Sequence, residues 1–162
     1  MNKILVSPLD IALRFRGIHE TPGDRSTAMI LAMIQSVDPS ATDDVVPWCS
    51  AFVYFPFFLL DLPRSKSLRA RSWLSVGTPI TIEEAEPGFD IVVLKRGPEP
   101  QPGPEDQNAP GHVMFYTGYT GDLIEGFGGN QSDAINFAKF KSINVLSIQR
   151  ILPVQSMNKQ GG

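Results

Sequence analysis

The stretch "VVPWCSAFVYFPFFLL", Val45 to Leu60, decides the fold because it joins a helix start to the chain's only cysteine. An almost continuous apolar run follows Pro47, and it indicates a buried central helix that begins at about Trp48 and bends or ends near Pro56. The run is about half of the roughly 20 residues that a membrane-spanning helix needs. Cys49 is therefore predicted to lie in the first turn of a core helix.

Helical patterns lie on both sides of this stretch. Ser7 and Pro8 are typical of a helix start, and the periodic apolar residues after them predict a helix that stops at Gly17. A second helix is predicted over residues 25–37, and "SKSLRARSWLSVG", residues 65–77, predicts a short amphipathic helix. The first half of the chain is therefore predicted to be helical.

The second half of the chain has a different pattern. Short segments rich in β-branched and aromatic residues alternate with Gly, Pro and Asp turns, which predicts an antiparallel sheet. The predicted strands are "FDIVVLKRG" (89–97), "HVMFYTGY" (112–119), "LIEGFGG" (123–129) and "NVLSIQRIL" (144–152). A Pro- and Gly-rich segment, residues 98–111, predicts an irregular surface loop or flap. Helices followed by strands predict an α+β fold, with one domain over residues 1–155 and a frayed tail over residues 156–162.

Charge and cysteine content narrow the function classes. The 162 residues carry a formal net charge of −3, so the chain lacks the basic field that nucleic acid binding needs. A single cysteine forms no internal disulfide, which leaves the thiol available for chemistry. The N-terminal stretch "MNKILVSPLDIALRFRG" is interrupted by Pro8, Asp10 and two arginines, so we expect no Sec signal and no membrane insertion.

Cys49 is a candidate nucleophile because a helix N-terminus favours the thiolate over the thiol. Its backbone amide is also placed to donate to an oxyanion. The alternative is a buried cysteine that only fills space, which is the common state of a free cysteine.

A thiol nucleophile needs a base and a group that orients it. His19 lies in a polar turn, whereas His112 opens a strand after the long loop, so His112 is the better candidate; its alternative is a strand-end histidine with no catalytic task. The segment "LIEGFGGNQSD" offers an acceptor for the far ring nitrogen, namely Glu125, Asn130, Gln131 or Asp133. No close pair of metal-ligating residues occurs, so we expect neither a metal site nor another cofactor.

Five segments, "PWCSAFV", "SLRARSWLSVG", "GHVMFYTG", "GGNQSDAI" and "VLSIQRIL", together resemble the NlpC/P60 and CHAP superfamily of papain-like cysteine peptidases. Within it they are most similar to small phage and prophage cell-wall hydrolases, over about residues 17–153. The resemblance implies a papain-like fold in which Cys49 is the nucleophile, His112 the base and Asn130 the orienting residue. Glu125 is the alternative third residue. The chain departs from the pattern at "PGFD", residues 87–90, and in its longer Pro-rich loop.

Four further residues are candidates for the lining of the cleft: Glu20, Trp48, Trp73 and Gln131. Trp48 adjoins the candidate nucleophile, and Trp73 belongs to a segment that the superfamily shares. The alternative for both tryptophans is a place in the core.

The resemblance implies a phage-type endolysin that cuts an amide bond of the peptidoglycan peptide without a cofactor. Such an enzyme is expected to be a monomer made in the host cytoplasm, reaching the wall in the periplasm through a holin or through lysis. Two alternatives stay open: an antibacterial amidase effector with an immunity partner, and a catalytically inactive binding module of a virion. An N-acetylmuramoyl-L-alanine amidase and an endopeptidase need the same catalytic residues, so the sequence leaves the choice of bond open.

Overall fold

A computed structural model describes residues 4–23 and 25–154. Within these residues the chain forms three α-helices, Pro8–Ala12 (α1), Ala28–Val37 (α2) and Cys49–Leu59 (α3). Three 3-10 segments lie at Leu13–Phe15, Ala70–Ser75 and Ser142–Asn144. Six strands follow the helical half: Thr78–Ile80 (β1), Asp90–Lys95 (β2), Gly111–Thr120 (β3), Leu123–Gly128 (β4), Asn136–Lys141 (β5) and Val145–Arg150 (β6). The fold is therefore α+β; the predicted tail, residues 156–162, lies outside the described residues.

The predicted start of α1 is confirmed. The Ser7 hydroxyl accepts from the backbone N–H of Asp10, and the Asp10 carboxylate accepts from the backbone N–H of Ser7 at 2.8 Å. These two bonds satisfy amide groups that a helix start otherwise leaves unpaired. Within the described residues, no helix is both long and apolar enough to cross a membrane.

The segment at residues 65–77 differs from its prediction, because a 3-10 turn at Ala70–Ser75 replaces the amphipathic α-helix. Ala70 and Trp73, three residues apart, are both buried. A 3-10 helix has three residues per turn and so brings such a pair onto one side.

The six strands form one antiparallel sheet in the order β1-β6-β2-β3-β4-β5. The four predicted strands are present, and two strands, β1 and β5, were not predicted. β1 is a short edge strand that contains Pro79, which fits an edge because proline has no N–H for a second neighbour. β5, "NFAKFK", alternates half-buried and exposed residues, which is the pattern of a strand with one solvent face.

The helix α3 packs on one face of the sheet. Phe52 and Phe57 both contact the ring of Phe115 on β3, with ring centroids 6.1 and 5.9 Å apart. Strand residues on this face include Ile91, Val93, Val113 and Phe115. The opposite face has its own apolar cluster, which includes Val92, Leu94, Met114, Tyr116, Ile124 and Ile148. The helix runs through Pro56 and ends at Leu59.

The Pro-rich loop between β2 and β3 is irregular, as predicted, and it is held by a buried arginine. The guanidinium of Arg71 is inaccessible to solvent. Its Nε donates to the carbonyl of Pro110 at 2.9 Å, and its Nη1 donates to three further carbonyls, those of Pro102, Gly103 and Asp106. The loop is thereby fixed as a wall beside the start of α3.

Candidate active site

Cys49 is the first residue of α3, and no side chain caps this helix start. The backbone N–H groups of Cys49 and Ser50 lower the pKa of the Cys49 thiol. The backbone N–H of Val113 on β3 has the same effect. Each of these groups favours the thiolate because it presents positive partial charge to the sulfur. The predicted setting of the thiol at a helix start is therefore present.

The thiol nevertheless lies in a buried place. Cys49 is 1% exposed, and burial raises the pKa of its thiol above the usual value of 9.0. The N–H of Val113 and the positive charge of Arg96 act in the opposite direction but do not outweigh burial. In the resting structure the thiol is therefore neutral, whereas the helix terminus by itself predicts an enriched thiolate.

His112 opens β3, and its ring is held by an amide side chain. The ring Nε2 lies 2.9 Å from Oε1 of Gln131 in a buried hydrogen bond. Gln131 uses its Nε2 to donate to the carbonyl of Asn136 at 2.7 Å, and Nδ2 of Asn136 donates back to the carbonyl of Gln131 at 3.0 Å. Because these bonds turn the amide oxygen of Gln131 towards the ring, Nε2 of His112 carries the proton. Nδ1 is left with a lone pair, which is the form that a general base needs.

The environment of His112 favours the neutral ring. Burial lowers the pKa of His112 from 6.5 to about 4, although the hydrogen bond that the ring donates to Gln131 raises the pKa. The positive charge of Arg96 lowers the pKa further. A neutral imidazole and a neutral thiol are therefore the resting forms of the two candidate groups.

The orienting residue differs from its prediction: Gln131 contacts the ring of His112, and Asn130 does not hydrogen bond to it. The resemblance implied Asn130 as the orienting residue, but β4 ends at Gly128 and Asn130 has a φ of 55°, so the chain turns there. The turn directs the following side chain to the ring. A Cβ at Gly128 would come within 2.7 Å of Oε1 of Gln131, so glycine leaves room for the amide.

The alternative third residue, Glu125, lies at the other end of the strand pair. It is opposite Gly118 in the β3–β4 ladder. Gly118 lies six residues after His112 on β3, which corresponds to roughly 20 Å along a strand. Its carboxylate lies 3.7 Å from Nζ of Lys139 and accepts from the hydroxyl of Thr117. Glu125 is therefore not an orienting residue for His112 in this structure.

The structure brings Cys49 and His112 to the same point of β3 but does not join them. His112 is directly opposite Leu94 of β2, so its side chain lies on the sheet face away from α3. The sulfur of Cys49 lies at the backbone of the next residue, Val113, on the other side. No hydrogen bond between the thiol and the ring occurs among the described residues. The two groups meet only if one of the side chains reorients. Hydrogen bonds between catalytic groups are often long or poorly aligned before a substrate binds.

Each group lines its own cavity. Cys49 lines a largely apolar cavity of about 690 Å³ between the start of α3 and the Pro-rich loop. His112 and Gln131 line a second cavity of about 360 Å³, which also includes Asn130. Arg96, directly after β2, belongs to the lining of both. The two cavities are therefore neighbours that share one wall.

The two tryptophans predicted to line the cleft are fully buried instead. The indole N–H of Trp48 donates to the carboxylate of Glu20, and the indole N–H of Trp73 donates to the hydroxyl of Ser50 at 2.8 Å. Their role is to support the first turn of α3. A side chain at Gly129 would collide with Trp48, so a glycine there allows the loop after β4 to pack on the helix.

Sequence reasoning missed three residues of this region: Arg71, Arg96 and Asn136. A charged residue in an amphipathic pattern is expected on the surface, so no local signal marks Arg71 as buried. A turn separates Asn136 from Gln131, and the sequence does not show the path of that turn. Arg96 follows a buried strand, which is a common place for a cavity-lining residue, but its neighbours there come from distant segments.

Within the parts of the chain that the structure describes, no group of three or more His, Cys, Asp or Glu side chains is placed to hold a metal ion. Comparison with protein-family models, curated proteins and solved structures found no match to this chain. The geometry of the site and the sequence patterns therefore carry the functional conclusion.

Proposed function

We propose that this protein is a papain-like cysteine hydrolase that cleaves an amide bond in the peptide of bacterial peptidoglycan, as a phage or prophage endolysin. One observation carries the hydrolase part: the amide oxygen of Gln131 lies 2.9 Å from Nε2 of His112 and leaves Nδ1 as the free ring nitrogen. His112 directly precedes Val113, whose backbone N–H lowers the pKa of the Cys49 thiol. The choice of peptidoglycan is supported by the sequence resemblance. Release from the host cytoplasm would follow a holin or lysis.

The first half of the proposed reaction begins from two neutral groups. Reorientation of the Cys49 side chain brings the thiol to Nδ1 of His112, and the ring takes the proton as the sulfur attacks the substrate carbonyl. The backbone N–H of Cys49 donates to the oxyanion. The protonated ring, still bonded to Oε1 of Gln131, then gives its proton to the leaving amine, and a thioester remains.

The second half releases the acyl group. A water molecule gives a proton to Nδ1 of His112 as its oxygen attacks the thioester carbonyl. The carbon–sulfur bond breaks, the sulfur regains the proton from the ring, and the product leaves as a carboxylic acid. The sum is the addition of one water molecule across one amide bond, so no cofactor takes part.

Digestion of purified sacculi tests this function. The wild-type protein is expected to release soluble muropeptides, and mass spectrometry of the new ends identifies the bond as muramoyl-alanine or as one within the peptide. Cys49→Ala is the matched inactive control. Absence of release by a folded wild-type protein, at enzyme concentrations at which a known wall hydrolase is active, contradicts the proposal.

A second candidate, a catalytically inactive binding module of a virion, is favoured by two observations. The thiol of Cys49 is buried and neutral, and it makes no hydrogen bond to His112 among the described residues. Slow alkylation of the thiol by iodoacetamide is expected for either candidate because burial protects it. Turnover therefore distinguishes them: the inactive module sediments with sacculi and releases no muropeptide.

A further inference from the structure

The two cavities beside Cys49 and His112 have an unusual charge. Their lining contains four cationic side chains and, among the described residues, no carboxylate; the cations are Arg69, Lys95, Arg96 and Lys139. The chain as a whole has more acidic than basic residues, 17 against 14. The positive charge is therefore concentrated at this site and does not reflect the composition.

Three of the four cations already have partners. Lys95 lies 3.9 Å from the carboxylate of Glu99, and Lys139 lies 3.7 Å from that of Glu125. Arg69 donates to the carbonyl of Asn108 at 3.3 Å.

Arg96 differs from these three cations. Its side chain is exposed, and it makes neither a hydrogen bond nor an ion pair with any residue that the structure describes. It is also the cation whose lining position is common to both cavities. A guanidinium left without an acceptor in a cleft is suited to bind an anionic group of a ligand.

The backbone of Arg96 is held from both sides. The preceding residue, Lys95, pairs with Gly111 in the β2–β3 ladder. The loop that follows is bound by the buried guanidinium of Arg71 through four carbonyls. Arg96 thus projects from a fixed base into the boundary between the thiol and the imidazole.

The charge of Arg96 reaches both reactive groups. Burial is the main influence on the pKa of Cys49 and of His112, and the positive charge of Arg96 lowers the pKa of each. An anion bound to Arg96 therefore lies close to the reacting atoms.

We propose that Arg96 binds a carboxylate of the substrate beside the scissile amide, so that the site selects acidic peptides over their amidated forms. This inference rests on the proposed hydrolase function for the kind of substrate, a wall peptide. The planar guanidinium donates two parallel N–H···O bonds to a carboxylate, and a carboxamide cannot receive both because its NH₂ group is itself a donor.

Binding to an inactive protein tests the inference without requiring turnover. The probes are disaccharide tetrapeptides from Gram-negative peptidoglycan and the same muropeptides after conversion of their carboxyl groups to carboxamides. In a Cys49→Ala background we expect the acidic form to bind about tenfold or more tightly than the amidated form. Arg96→Gln should abolish that preference, Arg96→Lys should retain part of it, and Arg14→Gln, the same charge change at an exposed distant site, should leave it intact.

Several results would overturn the inference: equal affinity for the two forms, no binding of either, or a preference that persists in Arg96→Gln. A preference that is lost in Arg69→Gln and kept in Arg96→Gln would show that Arg69, and not Arg96, binds the carboxylate. That result would overturn the inference as well. Turnover of sacculi is measured separately with the wild-type protein. Turnover without a preference rejects the role of Arg96 alone, and a preference without turnover rejects the hydrolase alone.

Discussion

The thiol of Cys49 and the ring of His112 lie on either side of one strand, and both are buried, but their surroundings differ. Around the thiol, only backbone N–H groups and the charge of Arg96 oppose the effect of burial. Around the ring, the side chains of Gln131 and Asn136 form a hydrogen-bonded chain that determines which nitrogen carries the proton. Core packing alone explains why a small thiol is buried. It does not explain why Gln131 and Asn136 form a hydrogen-bonded series that ends on the ring of His112. The ring side therefore provides the stronger argument for catalysis.

The largest effect is expected at the thiol. Cys49→Ala and Cys49→Ser should both lower the release of muropeptides by about 10³-fold or more, because neither side chain provides a thiolate nucleophile. Circular dichroism should show that both variants stay folded, since each side chain is close to cysteine in size. Substantial release by a pure Cys49→Ser sample would mean that Cys49 only fills space.

The next effect compares the two histidines. His112→Ala is expected to lower turnover by about 10²-fold or more, because general acid–base catalysis contributes that much. His19→Ala should retain turnover, because the His19 ring is exposed and bonds only to the neighbouring carbonyl of Glu20. Rates are measured on sacculi for both variants, and equal losses would show that His112 is not the base.

A smaller effect is expected at the residue that orients the ring. Gln131→Ala should lower turnover by about tenfold, because the ring loses the acceptor that holds its proton on Nε2. Asn130→Ala is the neighbouring control and should remain close to the wild-type rate. Asn136→Ala should behave like a weaker Gln131→Ala, because it removes the Nδ2 bond to the carbonyl of Gln131 but keeps the backbone carbonyl that holds the Gln131 amide. A large loss of turnover in Asn130→Ala beside a normal rate in Gln131→Ala would restore the assignment of Asn130 that the sequence resemblance implies.

The smallest effect concerns stability against pH. The pKa of His112 is about 4 in the folded protein against 6.5 ordinarily, so between these values the unfolded chain binds a proton that the native protein does not. The free energy of unfolding should therefore fall as the pH falls, by about 1 kcal/mol between about pH 7 and about pH 5.5.

Urea denaturation at these pH values measures that dependence. His112→Gln should lose it, and a window that stops at about pH 5.5 stays above the range in which most carboxyl groups titrate. A pH dependence that is the same in the wild-type protein and in His112→Gln would show that the ring is not buried as a neutral base.

Local patterns predicted much of the scaffold, and non-local contacts explain the differences. The strand β5 was not predicted although "NFAKFK" alternates, because its neighbours are polar turns and no partner is visible in a single sequence. Residues 65–77 were predicted to form an amphipathic α-helix, and an arginine in such a pattern is expected at the surface. The carbonyls that hold Arg71 come from a loop about 30 residues later, so its burial has no local cause.

The sequence by itself determined the order of helices before strands, the start of the central helix at about Trp48 and Cys49, and the place of His112 at the beginning of a strand. These features depend on residues close together in the chain, where periodicity, capping and turn chemistry act. Only the tertiary structure decided that Gln131 and not Asn130 contacts the ring, that the thiol and the imidazole are buried and neutral, and that Arg96 separates their two cavities. Each of these depends on a backbone turn or on burial between distant segments, because a hydrogen-bond partner and a local dielectric exist only once those segments have packed together.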